Sequence, residues 1–170
     1  TAGRTPRFIR SRFGGPDVPM LFKRLLASKR KRASFPTDQD ALLNIVRTAD
    51  DTARRRDACR LIQRLPALRE LGTDDIDAGV REIAQARYRK LLCGLDDVLP
   101  ALDERMEEIR GPLDQRGLEQ VASNGREPEV RLAAISRVSS PSVLAACALG
   151  DATTANRCAA TERLHDKRAL

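Results

Sequence analysis

The chain has 170 residues, room for one ordinary domain, and holds 23 Ala and 21 Leu against 8 Val and 7 Ile. β-Branched side chains crowd the preceding helical turn, so this balance predicts an all-α fold and excludes a β-sandwich or barrel. A hydrophobic fraction of 41% excludes a disordered chain, and no apolar run approaches the ~20 residues of a bilayer-crossing helix. The net charge of +7 is unevenly placed: residues 1–36 carry ten basic groups against Asp17 alone, while residues 37–170 carry 21 basic and 23 acidic groups.

Taken in chain order, residues 1–16 mix Arg and Phe with Gly3, Pro6, Gly14, Gly15 and Pro16 and read as extended. An amphipathic helix is expected from Asp17 to about Arg32, with Val18, Leu21, Phe22, Leu25 and Leu26 on one face. Pro36 closes this basic arm, which sets a boundary between residues 1–36 and residues 37–170. Thr37 and Asp40 resemble a capping box, and a helix follows to Arg47. Asp50 and Asp51 introduce another, running to about Leu65 and interrupted by Pro66. Thr73 and Asp74 are expected to start one long helix to Leu92, with Gly94 just past its end. Further helices are expected over Pro100–Ile109, Leu113–Ala122, Pro128–Val138, Pro141–Gly150 and Ala152–Leu164.

An internal repeat runs through the second part. Glu129–Leu144 aligned with Ala155–Leu170 matches Arg131 to Arg157, Ala133-Ala134 to Ala159-Ala160, Arg137 to Arg163 and Leu144 to Leu170. Looser copies begin at Arg56 and Arg81. A period of ~25 residues, with two short helices in each unit, is the signature of an α-solenoid. Helices that short are marginal alone, and stacking buries a shared core in which paired alanines let backbones approach.

The run Arg126-Glu127-Pro128-Glu129-Val130-Arg131-Leu132-Ala133-Ala134 resembles the short HEAT-type repeat, as does Asp77 to Arg81. More narrowly, Leu118–Ala122 followed by Val130–Val138 is similar to the repeat-rich N-terminal part of a large bacterial family catalogued as domain of unknown function 349. The resemblance spans roughly residues 37–170. It implies a right-handed α-solenoid of four to five HEAT-like repeats and carries no catalytic motif to transfer. Residues 95–112 lack the Arg-x-Ala-Ala core, so the middle unit is expected to be irregular. Leu170 aligns with Leu144, early in a helix, so the chain is expected to be a fragment of a longer protein.

No catalytic, cofactor or metal site is expected. Cys59, Cys93, Cys147 and Cys158 form no C-x-x-C pair, and His165 is the sole histidine. Four cysteines without a compact framework point to a reducing compartment, the cytoplasm, although an Arg-rich, acid-poor N-terminus also resembles a transit peptide. The acid clusters Asp74-Asp75-x-Asp77, Asp96-Asp97 and Glu107-Glu108 are expected at helix starts, where carboxylates cap free N–H groups. The repeated Arg56, Arg81, Arg131 and Arg157 are expected to form a structural ladder with acids in the adjoining turns.

The arm is the candidate partner-binding element. Arg7, Phe8, Arg10, Arg12 and Phe13 interleave cations with rings, and Lys23, Arg24, Lys29, Arg30, Lys31 and Arg32 extend the charge. Such a composition suits the phosphates and stacked bases of a nucleic acid, an anionic membrane surface, or a cap on the first repeat. The reading favoured for the whole chain is a non-enzymatic scaffold whose repeats bind a protein or peptide. The alternative is an RNA- or DNA-binding protein whose arm supplies the phosphate contacts.

Overall fold

The computed structural model describes residues 34–111 and 113–168, with side chains as far as His165. Residues 35–170 belong to one compact unit. Among the described residues there are nine α-helices and no strand: α1 Gln39–Thr48, α2 Thr52–Cys59, α3 Leu65–Asp74, α4 Ala78–Leu92, α5 Leu102–Arg110, α6 Gln115–Asn124, α7 Pro128–Ile135, α8 Pro141–Gly150 and α9 Thr154–Arg168. None is long and apolar enough to cross a membrane.

Local chemistry explains most boundaries. Asp38, Asp51, Asp77 and Asp114 cap α1, α2, α4 and α6, each carboxylate accepting a first-turn backbone N–H at 2.8–2.9 Å. Pro66, Pro128 and Pro141 sit in the first turns of α3, α7 and α8, where a missing N–H costs nothing. Two expectations therefore need correction. Pro66 opens α3 rather than interrupting a longer helix. The long helix expected from Thr73 starts only at Ala78, Thr73 and Asp74 being the end of α3, because Asp75 accepts from the N–H of Asp77 and Asp77 from that of Val80. Those carboxylates offer the backbone a turn in place of continued helix. Gly94, with φ of 71°, ends α4 in the left-handed region.

The helices pack as hairpins: α1 on α2, α3 on α4, α6 on α7 and α8 on α9. The second helix of a hairpin also meets the next second helix, α2 against α4 and α7 against α9, and first helix α6 meets α8. Small residues recur at the closest approaches. Ala58, Ala84, Ala134 and Ala160 are all fully buried, as are Leu118 and Leu144 in the first helices. Burying a leucine of this kind contributes ~1.5–3 kcal/mol.

The middle of the chain breaks the pattern. Between α4 and α6 lies a single helix, α5, preceded by the irregular residues 93–101. α5 packs on α3, α4 and α7, so it takes a second-helix place with no first helix to partner it.

Candidate functional site

The repeated arginines make two kinds of bond. Arg81, Arg131 and Arg157 each donate Nη1 to the carbonyls six and five residues before them. Those acceptors are Asp75 and Ile76 at 2.6 and 3.1 Å, Gly125 and Arg126 at 2.9 and 3.1 Å, and Asp151 and Ala152 at 2.8 and 3.3 Å. Each arginine thus closes the turn that leads into its own helix.

The second kind reaches forward. Arg56 pairs through Nε and Nη2 with both oxygens of Asp77, each at 2.9 Å. Arg131 grips Asp151 at 2.7 and 2.9 Å, and Arg55 grips both oxygens of Asp75 at 2.8 Å. Arg105, only 2% exposed, binds Glu127 at 2.8 and 3.1 Å. The acid belongs to the turn of the following hairpin, not to the arginine's own turn. Arg81 and Arg157 have carbonyl or hydroxyl acceptors and no acid partner among the described residues.

These pairs shift the acids as expected. The hydrogen bond from Arg131 holds Asp151 well below the usual carboxylate range despite its burial. Arg56 does the same for Asp77. Burial raises Glu127, but the hydrogen bond and charge of Arg105 outweigh it and leave the carboxyl lowered.

A further row, of which the repeat had matched Arg137 to Arg163 without a role, also ties the chain together. Arg87, Arg137 and Arg163, each six residues beyond a turn-closing arginine, donate to the carbonyls of Ile62, Ile109 and Val138 in the preceding unit. The spacing Arg-x5-Arg, present at 81/87, 131/137 and 157/163, was the available signal. Arg105 was also missed, because its neighbours are charged residues instead of the alanine pair.

The acid clusters fall in mixed roles. Asp77 caps a helix, but Asp96 accepts from Lys90 and Arg87, which lower its carboxyl to about 2. Glu108 lies in the last turn of α5, not at a helix start. It is buried there, and its Oε2 accepts from Tyr88 Oη and Arg69 Nη1, both at 2.7 Å. Burial and the bond to Glu108 raise the Tyr88 hydroxyl. No group of three or more His, Cys, Asp or Glu is placed to hold a metal ion among the described residues.

Where the middle unit lacks its first helix, a cleft of about 440 Å³ opens between α3, α4 and the start of α6. Leu68 and Leu113 give it apolar lining, and Tyr88 presents beside them. Arg69, Arg89 and Arg116 bring cations to it, against Asp114, whose carboxylate caps α6. Arg69 is shared with Glu108, while Arg89 and Arg116 have no hydrogen-bond or ion-pair partner among the described residues. This combination was not readable from sequence, since its walls are 12 to 49 residues apart along the chain.

The arm residues Arg7, Phe8, Arg10, Arg12, Phe13, Lys23, Arg24, Lys29, Arg30, Lys31 and Arg32, and the helix expected over Asp17–Arg32, lie outside the described residues. In comparisons with known proteins, no family model, curated protein or solved structure matches the chain.

Proposed function

We propose that residues 37–170 form a short α-solenoid of HEAT-like two-helix repeats, following a separate basic arm at 1–36, and act as a non-enzymatic scaffold for a protein or peptide partner. The likeness to HEAT-type repeats and to the bacterial family named above belongs to the same proposal, as does a cytoplasmic setting. The observation that carries the scaffold reading is the cleft at the missing first helix. It is the kind of concavity, apolar within and polar at the edge, that holds a ligand segment.

The body is a poor phosphate surface. Its net charge is −2, and its arginines are largely engaged with acids and carbonyls of neighbouring units. Nucleic-acid binding therefore rests on the arm, whose charge of +9 favours it as the second reading.

Site-specific photo-crosslinking separates the two. A photoreactive amino acid replaces Gln85 in the cleft, Arg126 on an exposed turn, or Phe13 in the arm. The scaffold reading expects one recurrent protein adduct at position 85 in nuclease-treated lysate and none at 126. Adducts confined to nucleic acid at position 13 would replace it with the second reading.

A further inference from the structure

The partner's chemistry can be read from what the cleft leaves unmatched. We infer that the cleft between α3, α4 and the start of α6 takes an acidic peptide segment, with a carboxylate held by Arg89 and Arg116 and an adjoining apolar side chain over the small surface that Leu113 and Tyr88 leave exposed. This rests on the scaffold reading above and adds to it the sign and polarity of the bound segment.

Charge complementarity selects the occupant. Elsewhere in the body, arginines with a buried or half-buried guanidinium have partners: Arg55, Arg56, Arg87, Arg105 and Arg131 each face an acid. Arg89 is half-buried and Arg116 exposed, and both line the cleft with no acceptor among the described residues. Glu108 is shared by Arg69 and Tyr88, and Asp114 is engaged with the Gly117 N–H at 2.8 Å. Asp114 keeps its charge, and Arg69, Arg89 and Arg116 against it leave the lining net cationic. Planar guanidinium groups suit a carboxylate, which they can meet through two parallel N–H donors.

The apolar lining adds a smaller contact. Leu68 is fully buried, and Leu113 and Tyr88 are 7% exposed, so the arginines carry most of the accessible surface that meets a ligand. The Tyr88–Glu108–Arg69 bonds fix that surface from behind. About 440 Å³ admits a side chain or two but not a nucleic-acid duplex. A short segment in which acidic and aliphatic residues adjoin meets both demands.

The test uses fluorescence anisotropy of short labelled peptides, one of alternating glutamate and leucine and one of alternating lysine and leucine, against the full chain. The arm is a second binding site that does not cancel in a ratio, so its ten basic residues are replaced by glutamine in every form measured, and the ratio between forms then reports the cleft. The doubly reversed variant Arg89→Glu with Arg116→Glu is expected to bind the glutamate peptide at least ~10-fold more weakly. It should bind the lysine peptide more tightly than the wild type does. Arg126→Glu, a reversal of the same charge away from the cleft, should leave both affinities unchanged. Folding is checked by circular dichroism, and Arg116→Ala serves as a milder variant should the double reversal unfold.

An unchanged ratio for the glutamate peptide overturns the inference. So does tighter binding of the lysine peptide by the wild type, although that outcome leaves a peptide scaffold standing. A single-stranded oligonucleotide that displaces the glutamate peptide from the wild type but not from the doubly reversed variant would assign the cleft to nucleic acid instead.

Discussion

Replacing Arg131 by methionine tests the forward-reaching pairs most directly. Its side chain is 12% exposed and that of Asp151 is 2% exposed, so the substitution strands a carboxylate away from water. Removing one partner of a buried pair costs ~3–5 kcal/mol, far more than the pair itself is worth. Asp151 would keep the N–H of Thr153 at 2.8 Å and the amide of Asn156 at 3.2 Å, which moves the cost toward the lower end. Loss of the bonds to Gly125 and Arg126 adds ~1 kcal/mol. The expected destabilisation is ~3–4 kcal/mol. Arg157→Met removes carbonyl and hydroxyl acceptors only, and should cost ~1 kcal/mol. Urea unfolding followed by circular dichroism measures both, and a cycle with Asp151→Asn should return a coupling of ~2 kcal/mol. Equal losses for Arg131→Met and Arg157→Met, or a loss under ~1 kcal/mol for the former, would refute the assignment of Arg131–Asp151 as a tie between units.

Gly94→Ala places a Cβ 2.6 Å from Arg105 Nη1 at a φ of 71°, and should cost ~1–3 kcal/mol in the same urea assay. Gly150→Ala, whose Cβ meets open space, should be neutral or slightly stabilising by comparison. Asp77, Asp96 and Asp151 are held below their unfolded values, so the unfolded chain takes up protons first as pH falls. Their contribution is complete above ~4 and is lost progressively below it, so the urea midpoint should drop between pH 7 and pH 3. The drop should be smaller in Asp151→Asn, and identical midpoints would contradict the pairing. Burial pushes the Cys59 and Cys93 thiols up to about 11 and raises Cys147 as well, whereas Cys158 is exposed. Ellman's reagent should therefore find one fast thiol in the native protein and four in denaturant; a second fast thiol would show that the core opens there.

The helical class and many helix starts were legible because their causes are local. An aspartate two or three residues ahead of a free N–H, a proline in a first turn and a glycine after a last one act within one turn of chain. That is why α6, α7 and α8 begin within two residues of their expected starts, and why Gly94 ends α4 as expected. The errors at Pro66 and at Asp75–Asp77 were also local. There, a proline suited equally to starting or breaking a helix, and a run of acids suited equally to a first turn or a cap, leave the boundary open.

The sequence by itself determined that the chain is helical, that its charge is divided, and that alanines and arginines recur at a nearly constant spacing. Only the tertiary structure decided what the arginines hold. A guanidinium chooses among acids 20 to 22 residues away according to which turn the packed helices bring within hydrogen-bond reach, and no local pattern encodes that distance. It also decided that a cleft opens between α3, α4 and the start of α6. An absent helix is a cleft only when α3 and α6 stand on either side of it, with Arg89 and Arg116 left facing a space that no part of the described body fills.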